Sequence, residues 1–126
     1  MRRYSTTVTT DGSGNATAYL SPRTSGKIHS IQYVKDGGAN PFANGVDFAI
    51  TAEATGENVW TETDVNASAV RYPRAPTHSQ AGVASLYAAA GTAVQAPIAI
   101  ASDRVKVVIA QGGANKVGKF HVMVEG

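Results

Sequence analysis

Val46, Phe48, Ile50 and Ala52 alternate with Asp47, Ala49, Thr51 and Glu53, a period of two that an extended strand gathers onto one apolar face. A helix would scatter the same side chains around its circumference. The pattern returns near the C-terminus, where Val105, Val107 and Ile109 alternate with Arg104, Lys106 and Val108. Phe120, Val122 and Val124 then alternate with Lys119, His121 and Met123. These runs predict strands, and they nominate Phe48, Ile50, Val107, Ile109, Phe120 and Val122 as the central core.

The rest of the chain reads as further short β runs between turn residues. Tyr4 to Thr10 is rich in Cβ-branched threonine and would place Tyr4, Thr6 and Val8 on one face. Asp11-Gly12-Ser13-Gly14-Asn15 supplies a turn, and Ala16 to Leu20 resumes the extended pattern, which predicts a hairpin. A second hairpin is expected from the two C-terminal runs, joined by the glycine-rich stretch Gln111 to Gly118.

Lys27 to Lys35 carries Ile28, Ile31, Tyr33 and Val34 without strict alternation, as in a strand covered on both sides or one containing a bulge. Asn58 to Thr63 forms another run, containing Trp60, which reads as a core or interface residue. From Asp64 to Gln80 the pattern weakens, and Pro73 and Pro76 favour an exposed connection or sheet edge. Val83 to Ala90 suits either a short helix or close packing of alanines between β surfaces. Ala96 to Ala101 reads as a strand entered through Pro97. Gly-Gly-Ala-Asn occurs at Gly37 to Asn40 and again at Gly112 to Asn115, each time between two β runs.

The expected fold is therefore all-β, a single domain over residues 1–126. Its architecture is an antiparallel β-sandwich of about eight strands, with jelly-roll-like topology favoured over immunoglobulin-like topology and an open barrel as the alternative. The 126 residues suffice for one core, and the absence of cysteine leaves packing, hydrogen bonding or association to stabilise it.

A net charge of +2, with only Arg2 and Arg3 adjacent, lacks the concentrated positive stripe of a nucleic-acid binder, so no sequence-specific nucleic-acid partner is expected. No membrane partner is expected either. The weakly charged region Ala81 to Ala101 is interrupted by Gln95, Pro97 and glycines, and no apolar segment follows the N-terminal arginines as in a signal peptide. Asn15-Ala16-Thr17 and Asn66-Ala67-Ser68 match the glycosylation pattern and read instead as turn and strand-edge residues.

Catalytic chemistry finds little footing. His29, His78 and His121 have no metal-site spacing. Asp11 to Asn15 lacks the carboxylate set of a calcium loop, and neither glycine-rich loop carries the lysine of a phosphate cradle. Asp47, Glu53, Glu57, Glu62 and Asp64 supply carboxylates, but nothing in their order pairs two of them across a substrate. No residue is assigned a catalytic, cofactor-binding or metal-ligating role, and the chain is read as a non-enzyme without cofactor. Trp60, Tyr33, Tyr72 and Tyr87 offer flat rings on which a carbohydrate-binding module would rely.

Met1-Arg2-Arg3-Tyr4, the threonine-rich opening, Val46 to Thr51 and the stretch from Tyr87 to Val108 together resemble small β-rich virion proteins of tailed bacteriophages, especially capsid cement or decoration proteins. The resemblance covers the whole chain loosely and carries over no site residues. It implies a structural protein that binds and stabilises the assembled capsid and resides in the virion after assembly in the host cytoplasm. Its implied partners are the major capsid protein or another virion protein, together with self-association as a dimer or trimer. The apolar side chains of Val83 to Ala101 are the expected contact surface, unless they complete the monomer's own core, and Arg2 and Arg3 are candidates for a mobile arm. The alternative is a non-catalytic carbohydrate-binding module on a tail or a secreted protein.

Overall fold

The computed structural model describes all residues, 1–126. Its ten strands are β1 (Arg2–Thr9), β2 (Ala16–Tyr19), β3 (Thr24–Lys35), β4 (Asp47–Ala52), β5 (Asn58–Glu62), β6 (Ala69–Arg71), β7 (Arg74–Pro76), β8 (Gln95–Asp103), β9 (Val105–Ala110) and β10 (Val117–Glu125). They form two antiparallel sheets. The larger runs β1-β10-β3-β8-β7, with β6 also paired to β3, and the smaller runs β2-β9-β4-β5. The chain is thus an all-β sandwich, with two three-residue strands added where the sequence pattern weakens.

One apolar layer fills the space between the sheets. Phe48, Ile50, Val107, Ile109, Phe120 and Val122 are all buried, as their alternation predicts. Phe48 and Phe120 face each other across the layer at 5.2 Å between ring centroids, and Tyr33 packs against both. Trp60 lies edge-on to Phe48 at 5.6 Å and is 6 % exposed, so it belongs to the core.

Two breaks in periodicity have the same cause. Met123 pairs with Ser30 while Val124 pairs with Ile28, so β3 holds one extra residue, His29, against β10. The bulge returns both Ile28 and Ile31 to the inner face despite their spacing of three. In β5, Ile50 pairs with Trp60 and Thr51 with Asn58, which leaves Val59 extra and lets consecutive Val59 and Trp60 both be buried.

Neither expected hairpin forms. β1 pairs with β10 and β2 with β9, so the Asp11–Asn15 turn carries the chain from the large sheet to the small one. The Gln111–Gly118 loop carries it back, from β9 to β10. Alternation records that each strand has one buried face; in a sandwich that face is the same whether the next strand lies alongside or opposite.

The two cross-sheet turns are bonded to each other. The Gly112 N–H donates to the Gly14 carbonyl at 2.9 Å, and the Asn115 N–H to that of Asp11 at 3.1 Å. Gly113 and Asn115 adopt left-handed backbone, whereas Gly37, Gly38 and Asn40 do not. The repeated Gly-Gly-Ala-Asn therefore folds in two different ways, although each copy connects one sheet to the other.

Of the two readings of Val83 to Ala90, the short helix does not form. Gly82 and Gly91 flank this segment, Ala90 itself adopts left-handed backbone, and its backbone groups bond to neighbouring passes of chain. Arg2 and Arg3 lie within β1, opposite Val124 and Met123, rather than in a mobile arm.

Charged side chains clamp one end of the small sheet. Arg104 binds both carboxylate oxygens of Glu53 at 2.9 Å and lies 3.6 Å over the ring of Tyr19. The hydrogen bonds from Arg104 hold the Glu53 carboxyl below its usual range. A carboxylate depressed in the fold contributes stability above its unfolded pKa and loses it as pH falls through the folded value. Urea unfolding is therefore expected to show stability declining below about pH 4.5, with a weaker decline in Glu53→Gln.

Candidate assembly surface

No Asp, Glu, Lys or Arg occurs between Ala75 and Ser102. The centre of this uncharged stretch, Thr77 to Val94, leaves the large sheet after β7 and returns at β8. It makes three short passes. The Ser85 N–H donates to the Thr77 carbonyl at 3.0 Å, and the Val94 N–H to that of Ser85 at 2.9 Å, which ties the three together. Isolated bridges join His78 to Ala84 and Leu86 to Ala93.

Turn chemistry explains the first reversal. The Ser79 hydroxyl accepts from the Ala81 and Val83 N–H groups at 3.3 and 3.2 Å, while Gly82 takes the left-handed conformation that the turn needs. The second reversal spans Ala88 to Gly91, closed by the Gly91 N–H on the Ala88 carbonyl at 2.8 Å.

The structure divides the apolar residues of Val83 to Ala101 between two tasks. Ile98 and Ile100, on β8, point into the core and are 3 % and 6 % exposed. Val83, Leu86 and Tyr87, on the arm, are 66 %, 42 % and 75 % exposed. Ala84, Ala88, Ala89 and Ala90 around them are exposed too. The β8 part of this region thus completes the monomer's core, while the apolar side chains of the arm lie exposed.

The four rings considered for sugar stacking are also divided. Tyr33 and Trp60 are buried, and Arg71 covers Trp60 at 5.3 Å from its ring centroid while binding Glu62. Tyr72 and Tyr87 are exposed, with Tyr72 edge-on to His29 at 5.6 Å.

The polar residues serve local structure. His121 shares a 2.7 Å hydrogen bond with Ser5, and His29 one of 3.0 Å with Ser30, while His78 lies exposed on the arm. No group of three or more His, Asp or Glu side chains gathers around one point. Burial, followed by the charges of Lys119 and Arg3, lowers the pKa of His121. The Asp11 carboxylate accepts from the Ser13 and Asn15 N–H groups at 2.8 and 3.0 Å, so it shapes its own turn.

Of the five acids weighed as catalytic, Glu53 is bound by Arg104 and Glu62 by Arg71, while Asp47 accepts from the Asp64 N–H at 3.1 Å. Asn66 and Ser68 hold neighbouring backbone, accepting from the Gly45 and Lys35 N–H groups. No helix is long and apolar enough to cross a membrane. No family model, curated protein or solved structure matches the chain.

Proposed function

We propose that the chain is a tailed-phage virion structural protein, a capsid cement or decoration protein without catalytic activity, which docks on the major capsid protein or another virion protein. The observation that carries this reading is the uncharged arm, which exposes Val83, Leu86 and Tyr87 on a sandwich whose remaining apolar side chains largely fill its core. Exposed apolar side chains gathered on one projection are the ordinary mark of a protein-binding surface. Tyrosine is among the residues that dominate binding energy at such contacts.

The strand order supports jelly-roll topology as the finer description of the sandwich. Pairings β1–β10, β2–β9, β3–β8 and β4–β5 make one long antiparallel ribbon, rolled so that β10 meets β3 and β9 meets β4. β6, β7 and the arm then form an insertion between β5 and β8. Viral capsid and lectin domains both use this architecture, so the fold accommodates the carbohydrate-binding alternative as well. That alternative retains Tyr72 and Tyr87 as its exposed rings.

Binding of the purified protein to authentic assembled capsids tests the reading. Replacing Val83, Leu86 and Tyr87 together with serine is expected to leave the β spectrum unchanged and weaken capsid binding at least about thirty-fold, the equivalent of roughly 2 kcal/mol. Failure of the unmodified protein to bind capsids would overturn the proposal. Selective binding to a glycan array, lost on Tyr72→Ala or Tyr87→Ala, would replace it with the carbohydrate reading.

A further inference from the structure

The sheets have five outer strands, and four are blunted, among them the three-residue β6, which pairs only with β3. β7 has three residues, preceded by Pro73 and ending in Pro76; β2 has four residues; β5 has five and contains a bulge. β1 is different. It runs for eight residues without proline or glycine, and its register with β10 is unbroken from Arg2–Val124 to Thr9–Val117. An open edge of this length is a template for a further strand, and folded proteins usually disrupt it.

The unpaired groups can be assigned. The Thr10 N–H donates to the Lys116 carbonyl at 2.9 Å, next to the Thr9–Val117 pair. Antiparallel alternation then turns the backbone groups of Val8, Thr6 and Tyr4 toward β10 and those of Arg3, Ser5, Thr7 and Thr9 away from it. None of those four residues makes a backbone hydrogen bond outside the ladder.

We propose that this edge pairs with β1 of a second copy of the chain, antiparallel across a two-fold axis, with Thr6 opposite Thr6. In that register Arg3 faces Thr9 and Ser5 faces Thr7 as hydrogen-bonded pairs, which uses every outward-facing backbone group of the four. On the inner face Tyr4 meets Val8, an aromatic pair with a β-branched residue, and the axial Thr6 residues lie side by side. Charge selects a second copy as the occupant. Both arginines of β1 sit at one end, so the two-fold axis carries them to opposite ends of the ribbon and sets each against threonine. The two large sheets become one continuous sheet, and the arms stay free to bind elsewhere. The dimer requires no capsid, so its failure and failure of the virion reading are separate results.

Two experiments on the full chain test it. Sedimentation over the micromolar range is expected to show a monomer–dimer equilibrium. Thr7→Pro, which removes an outward-facing donor from each half of the ladder, should raise its dissociation constant roughly tenfold or more. The chain has no cysteine, so Thr6→Cys introduces the only thiol. Opposed residues of a non-hydrogen-bonded antiparallel pair lie about 4.5 Å apart at Cα, within disulfide reach. Thr6→Cys is therefore expected to oxidise to a covalent dimer much faster than Thr17→Cys, an exposed position on β2. A monomer throughout the range overturns the proposal, as does a dimer indifferent to a folded Thr7→Pro. Equal oxidation of the two cysteine variants, or faster linkage through Ser5→Cys than through Thr6→Cys, overturns the stated register whatever Thr7→Pro does to folding.

Discussion

Replacing Phe48 with alanine is expected to remove about 3–5 kcal/mol of stability. The ring lies at the centre of the layer between the sheets, 1 % exposed, with Tyr33, Trp60 and Phe120 at 4.9, 5.6 and 5.2 Å between centroids. Phe42 closes the remaining side at 6.2 Å. Deletion loses both the transfer of the ring out of water and its contacts with four others, three of which, Tyr33, Trp60 and Phe120, come from strands too firmly paired to collapse into the space. Equilibrium urea unfolding measures the loss. A value below about 0.5 kcal/mol would mean that the sheets can close over the gap, contrary to a tightly packed layer.

Tyr33→Phe is expected to act in the opposite direction, stabilising the fold by about 1–3 kcal/mol. The side chain is fully buried among Phe42, Phe48 and Phe120, and its hydroxyl meets no protein hydrogen-bond partner. Burial, reinforced by the Asp36 carboxylate, pushes the phenol up to about 12 from its ordinary value of 10.0. Its sign follows from linkage. The folded state retains the proton over a range in which the unfolded chain has lost it, so stability is complete below pH 10 and falls as pH rises toward 12. Tyr33→Phe should remove that part of the alkaline loss while raising stability at neutral pH. Unfolding curves at pH 7 and pH 11 distinguish the two effects, and a destabilised Tyr33→Phe at neutral pH would show that the hydroxyl is satisfied.

The inner layer was legible because each strand buries alternate residues, and Phe48, Ile50, Val107 and Phe120 declare themselves by spacing alone. Partner choice was not. Val105 to Ile109 and Phe120 to Val124 look like a hairpin, yet they lie in different sheets, because a side chain's burial does not depend on which backbone lies beside it. Trp60 read correctly as a packing residue, whereas Val59 beside it broke the period through a bulge visible only once β4 was in register. The arm was half legible. Its apolar content was plain, but Ile98 and Val83 differ only in where the chain has carried them, one between the sheets and the other beyond the edge. The open edge of β1 left no mark in composition at all, since an unpaired strand needs the same threonines as a paired one.

The pairing of β1 with β10 also governs when the molecule can form. The only strand ladder available to β1 in the monomer belongs to the last strand of the chain, and β2 likewise waits for β9. A growing chain on the ribosome therefore holds β1 and β2 without ladder partners until β9 and β10 have emerged, although β3 can already pair with β6. Acquisition of the fold becomes a late event, dominated by distant contacts and correspondingly slow. Loss of β10 would strip β1 of its only ladder, so a product interrupted before Val117 should be recognised as unfolded and degraded rather than joining any assembly.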